Sequence, residues 1–98
     1  MLFTMALGLQ TPWYVKDLAF TEGALQEKEL HIYIDFIRGS YFMDTQGINC
    51  SVHDTVERQW QYLNFFQHTC FIHCQVPRIK TSDNKVLTVT VPWARRGS

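Results

Sequence analysis

Apolar and polar residues alternate most regularly over Glu29–Ile37, where Leu30, Ile32, Ile34 and Phe36 fall on one side and His31, Tyr33 and Asp35 on the other. A period of two is the signature of a strand with one buried face. Thr69–Val76 repeats the pattern, with Cys70, Ile72, Cys74 and Val76 opposite Thr69, Phe71, His73 and Gln75. Trp13–Phe20 reads as a strand ahead of the first of these, and Val86–Val91 as one after the second. The spacings predict two β-hairpins, 13–20 with 29–37 and 69–76 with 86–91.

The segments between are weaker. Thr21–Lys28 contains Gly23 and reads as a turn with a short helical piece, and Gly39–Gln46 reads as a loop. Asp54–Glu57 suits a turn or a short helix, and Arg58–Phe66 is extended or mixed. Pro77 is expected to end or edge its strand, and Thr81–Lys85 is a polar turn. Near the start, Thr4–Leu9 fits a helical turn that stops before Pro12, because the residue before a proline avoids the helical region. The expected fold is therefore α+β and mostly β: a small zinc-ribbon-like module of two hairpins with a short N-terminal helical turn.

At 98 residues the chain suits one domain, with 95–98 as the start of a linker. Aromatic residues make up 14% of it, which allows a core without metal or disulfides; Trp13, Phe20, Phe36, Trp60, Phe65, Phe71 and Trp93 are the candidates. No apolar run approaches the roughly 18 residues of a membrane span. Met1–Leu9 lacks the basic start and cleavage site of a signal peptide. A cytoplasmic protein without a membrane partner is expected, and the odd number of cysteines (Cys50, Cys70, Cys74) fits reduced thiols there.

Net charge is zero but unevenly distributed. Residues 1–57 hold three basic and eight acidic residues, a net of −5; residues 58–98 hold six basic and one acidic, a net of +5. Such a split suits an anion-binding face, or two halves that pack on each other or on a second copy. The basic set is Arg58, Arg78, Lys80, Lys85, Arg95 and Arg96, suited to phosphate contacts with Tyr62 or His68 nearby.

Four short motifs occur in order: Leu7-Gly8-Leu9 with Pro12-Trp13 and Val15; Arg58-Gln59-Trp60 with Leu63; Val76-Pro77-Arg78-Ile79; and Val91-Pro92-Trp93-Ala94. Together they resemble the N-terminal domain of insertion-sequence transposases of the ISL-three family, over nearly the whole chain. The resemblance implies a small zinc-binding module ahead of a helix-turn-helix and a catalytic domain. It implies recognition of transposon-end DNA or assembly of the transposase, and no catalysis by this chain. The family pattern places C-P-x-C-G after the phenylalanine matching Phe42 and C-P-x-H-G near residue 81. Here Met43-Asp44-Thr45-Gln46 precedes Gly47, and Thr81-Ser82-Asp83-Asn84-Lys85 occupies the second position. Thr, Gln and Asn are poor zinc ligands, so neither a structural zinc nor any other cofactor is expected.

Other chemistry is weakly encoded. Cys50, His53, His73 and Cys74 could hold a different metal only if a bulge turned His73 and Cys74 to one side. No glycine-rich phosphate loop and no positioned Cys–His nucleophile is present, so neither an enzyme nor a small-molecule substrate is expected. The leading expectation is an auxiliary DNA-binding domain of a transposase, working through the phosphate backbone. The alternative is a protein-interaction or dimerisation module for transposase assembly.

Overall fold

Residues 8–93 are described in a computed structural model. The two strongly alternating segments do form strands, but they pair with each other in parallel. We label the strands β1 (Trp13–Glu22), β2 (Lys28–Phe36), β3 (Tyr41–Met43), β4 (Asn49–Phe65), β5 (His68–Lys80) and β6 (Val86–Thr88). They build one sheet in the order β1-β2-β5-β4-β3, with β6 on β5.

β1 and β2 form the expected antiparallel hairpin, with a bulge between Val15 and Asp17. β2 then lies parallel to β5, from Glu29 opposite Thr69 to Ile34 opposite Cys74. The other edge of β5 is taken by β4, antiparallel from Val52 opposite Ile79 to Phe65 opposite His68. Residues 69–76 therefore have no edge left for 86–91. The second hairpin forms further along, where β6 pairs Val86–Thr88 with Arg78–Lys80.

β4 is the largest departure from the sequence reading. Asp54–Glu57, expected as a turn or short helix, lies inside a 17-residue strand. Two features conceal that strand. Asp54 and Arg58 occupy the apolar side of its alternation with Val56 and Trp60, and a bulge between Val52 and Asp54 shifts the phase. Gly39–Gln46, expected as a loop, contributes the short strand β3, paired through Phe42 opposite Cys50.

The α+β expectation is also corrected. Among the described residues there is no helix, so the fold is all-β. The helical piece proposed within Thr21–Lys28 is instead a tight turn in which the Gln26 N–H bonds the Gly23 carbonyl. For the N-terminal helical turn, residues 4–7 lie outside the described part, and Gly8–Leu9 are not helical. No helix among the described residues is long and apolar enough to cross a membrane.

Pro77 does not end its strand; β5 continues to Lys80. A strand residue aims its N–H and C=O at the same neighbour, and the Pro77 carbonyl accepts from Val89 N–H on the β6 side. β2 has stopped pairing by Cys74 and β6 starts at Arg78, so the missing proline donor falls in the gap between them.

One face of the sheet carries the main core. Leu30, Ile32, Ile34, Cys70, Ile72, Cys74 and Val76 are buried there with Leu9, Val91 and Trp93. A second cluster of Phe36, Phe42, Cys50 and Ile79 occupies the far end, and Trp13 packs against both. Trp13 and Trp60 each meet Trp93 edge-on, at 5.3 and 5.5 Å between ring centres. Two of the expected core aromatics lie elsewhere. Phe20 is 59% exposed at the end of β1, and Phe71 sits half-buried on the opposite face.

Ile72 is fully buried on the central strand. Ile72→Ala is expected to lower stability by about 2–5 kcal/mol, the usual range for truncation in a packed core. Leu63→Ala, at a site 78% exposed, is expected to shift it by no more than about 0.5 kcal/mol. Urea unfolding followed by tryptophan fluorescence measures both.

Candidate functional site: the turn pair and the open face

Two regions of the surface combine chemistry with geometry. The first is the end of the sheet at which the β3–β4 and β5–β6 turns meet. Asp44, Thr45 and Gln46 of one turn and Thr81, Ser82, Asp83 and Lys85 of the other line a single cleft of about 330 Å³, with Val86 and Leu87.

Each turn is closed by a side-chain oxygen. Asp44 Oδ1 accepts the N–H groups of Gln46 at 2.8 Å and Ile48 at 3.0 Å, while the Gly47 N–H bonds the Asp44 carbonyl. Gly47 has φ +79°, a conformation that glycine adopts without strain. In the second turn Thr81 Oγ1 accepts from Lys85 N–H at 3.2 Å and donates to Asp83, and Asn84 takes the left-handed position at φ +69°. Asparagine tolerates that conformation better than most residues. Both turns hold their shape through Asx- and hydroxyl-type hydrogen bonds.

The basic residues are only partly gathered here. Lys85 lines the cleft and lies 3.8 Å from Asp83, both well exposed. Lys80 is exposed at the end of β5, opposite Val86. Arg78 stands opposite Asp54 across β4 and β5 and is bound to it through two hydrogen bonds, Nε to Oδ1 at 2.6 Å and a second to Oδ2. This bidentate pair joins the acidic half of the chain to the basic half. Its hydrogen bond to Arg78, with the guanidinium charge acting the same way, holds the Asp54 carboxyl below the usual range, while the same bond raises Arg78. Arg58 is exposed opposite Cys74, four residues along β5 from Arg78. Arg95 and Arg96 lie outside the described residues. Of the proposed stacking partners, Tyr62 packs against the main core, and His68 meets the Phe20 ring edge-on at 5.2 Å.

The second region is the open face of the sheet, which the sequence reading left unassigned. Parallel, in-register strands place like positions side by side, so rings projecting from β2 and β5 stack. Tyr33 stacks on His73 at 4.6 Å and 15°, and His31 on Phe71 at 5.2 Å and 19°. His31 Nδ1 lies 2.7 Å from His73 Nε2, and His31 Nε2 lies 3.0 Å from Glu29 Oε1. Burial pushes the His73 pKa down, the charge of His31 pushes the same way, and Glu57 opposes them. The outward parity of His31 and His73 was legible in the sequence, but their contact depends on a parallel pairing that no short-range signal announced.

The set Cys50, His53, His73 and Cys74 does not converge. Cys50 is buried in the second cluster, His53 is exposed at the β4 bulge, and His73 and Cys74 face opposite sides of β5. Among the described residues no group of three or more His, Cys, Asp or Glu side chains is placed to hold a metal ion. Burial raises the Cys70 thiol and pushes Cys74 up to about 12, with Asp35 adding to the shift at Cys74. Such thiols are inert, because the thiolate is the nucleophile.

Two outcomes follow. Cys70 and Cys74 are expected to resist an aromatic disulfide reagent at pH 8 and to react only as the chain unfolds, which absorbance of the released thiolate measures. Because the folded pKa of Asp54 is depressed, the Arg78 pair stabilises the fold above the unfolded value near about 3.9. That contribution is lost as pH falls through the folded pKa, so Asp54→Asn is expected to flatten the acid limb of a stability–pH profile. In comparisons with known proteins, no family model, no curated protein and no solved structure matches the chain.

Proposed function

We propose that the chain is a DNA-handling N-terminal module of an insertion-sequence transposase of the ISL-three type, one whose turns close without zinc. The observation that supports this reading most is the convergence of residues 44–46 and 81–85 on one cleft. The motif order alone assigns those two segments to facing knuckles, and they lie 37 residues apart in sequence between Asp44 and Thr81.

In this reading the module grips the phosphate backbone. Lys80 and Lys85 beside the turns make the contacts, with Arg58 as an outlying one. Arg78 acts differently from its neighbours. Held by both nitrogens to Asp54, it orients β4 against β5 and presents little uncompensated charge. Backbone contacts of this kind give binding that tolerates sequence changes and weakens with salt.

A second reading is favoured by a separate observation. Tyr41 and Met43 on β3, Ile48 after the first turn, and Val86 and Leu87 on β6 are all exposed, between 36% and 67%. Short edge strands carrying apolar side chains suit contact with another protein, here a second transposase copy during assembly.

Fluorescence anisotropy of a labelled duplex at two salt concentrations separates the two. Under the first reading affinity falls steeply with salt, and Lys80→Ala with Lys85→Ala reduces the salt slope by roughly 0.9 per lost contact. Arg78→Ala is expected to lower stability more than affinity. Absence of binding at low salt, with a dimer in sedimentation that grows with concentration, supports the second reading and overturns the first.

A further inference from the structure

The histidine pair on the open face has no part in the proposed grip on DNA, and its two ring nitrogens face each other at hydrogen-bonding distance. We propose that His31 Nδ1 and His73 Nε2 form a binding site for a divalent copper or nickel ion, with Glu29 as the carboxylate that orients His31.

Three features support it. The first is spacing. The two nitrogens lie 2.7 Å apart. Two imidazole nitrogens at about 2.0 Å from one ion stand about 2.8 Å apart at adjacent corners of a square plane, and about 3.3 Å apart in a tetrahedron. The pair is thus within a small side-chain rotation of sharing one ion. The ordinary affinity order of divalent ions at nitrogen ligands favours copper(II) or nickel(II) there.

The second is orientation. A histidine ligand usually gives its other ring N–H to a carboxylate, which fixes the tautomer. Glu29 Oε1 is 3.0 Å from His31 Nε2, so that nitrogen carries the proton and Nδ1 presents its lone pair. In the metal-free chain His73 Nε2–H donates to that lone pair. Binding moves the His73 proton to its Nδ1 and leaves both facing nitrogens unprotonated, with no net change in protons.

The third is restraint. Each imidazole is stacked against neighbouring rings, His73 on Tyr33 and His31 most closely on Phe71. Both side chains are already ordered, so less rotamer freedom is lost on binding. The sheet face is open to solvent, which leaves the remaining coordination positions to water.

Copper(II) titrated into the full chain in a non-coordinating buffer at pH 7.4 tests the site. Calorimetry is expected to find one ion per chain, and electron paramagnetic resonance to show coupling to two imidazole nitrogens. His31→Gln and His73→Gln are each expected to weaken binding by more than about tenfold, and Glu29→Gln by about 10-fold or more. His53→Gln serves as a control that leaves affinity unchanged. Zinc is expected to bind more weakly than copper. A second readout uses the unaltered chain, so it does not depend on variants folding. A tenth of an equivalent of copper(II) is expected to broaden the ring signals of His31, His73, Tyr33 and Phe71 before those of His53 and His68. No binding, a copper spectrum retained in the His31→Gln/His73→Gln chain, or earlier broadening at His53 or His68 would overturn the proposal.

Discussion

The parallel pairing of β2 with β5 is the constraint on which the rest depends. It places the two most strongly alternating strands at the middle of the sheet, Leu30 beside Cys70, Ile32 beside Ile72 and Ile34 beside Cys74. Four of those six side chains are no more than 2% exposed. A parallel pair cannot be closed by a tight turn, and the 31 residues between Phe36 and His68 are spent on β3 and the long strand β4. β4 returns along the free edge of β5 and completes the core with Val56, Trp60 and Tyr62. The other strands are arranged by what remains. β1 covers the outer edge of β2, and β6 takes the short length of β5 that β2 does not reach.

The same register fixes the opposite face. Because strands in register align their outward residues as well as their inward ones, the rings on β2 and β5 come into stacking range without any further device. Tyr33 and His73 are direct neighbours in the register, and so are His31 and Phe71. The short His31–His73 contact is the diagonal between these two pairs. A slip of one residue would turn every ring into the core and every buried aliphatic outward, so the core's demand for Ile32 and Ile72 is also what holds the histidines together. Core packing and surface chemistry are two sides of one pairing.

This explains which parts were legible in the sequence. Alternation identified β1, β2 and most of β5, and it sorted Leu30, Ile32, Ile34, Phe36, Cys70, Ile72, Cys74 and Val76 correctly to the buried side. Turn chemistry located residues 81–85. Partner choice was not legible, because alternation states that a face is buried and says nothing of which strand lies alongside. β4 was concealed by its own composition. Asp54 and Arg58 sit on its inward parity, and each is accommodated in its own way: Asp54 by Arg78 across the strand, Arg58 by exposure. The bulge beside Asp54 then reverses the phase, so Val52 and Cys50 join Ile79 in the second cluster while Val56 joins the first. Of the basic candidates, Lys80 and Lys85 fall near one another at the turn pair. Arg78 is absorbed by an ion pair that links residues 24 apart in sequence.

The two turns close through hydrogen bonds of their own, and the strength of those bonds shows where stability must come from. A hydrogen bond contributes about 1 kcal/mol net, so the bonds around Asp44 and Thr81 add only a few kcal/mol. They fix the shape of each turn, with glycine and asparagine at the left-handed positions, and they do not bind one turn to the other. What joins the two ends is the apolar contact beneath them: Phe42 from the strand before the first turn and Ile79 from the strand before the second are buried in the same cluster with Phe36 and Cys50. Trp13 ties that cluster to the main core through its ring contacts with Phe36, Phe42 and Trp93. A side chain of that size, shared between two clusters, joins them by dispersion and burial. It ties the strands that lead into the two turns to one core, although among the described residues the turns make no hydrogen bond to each other.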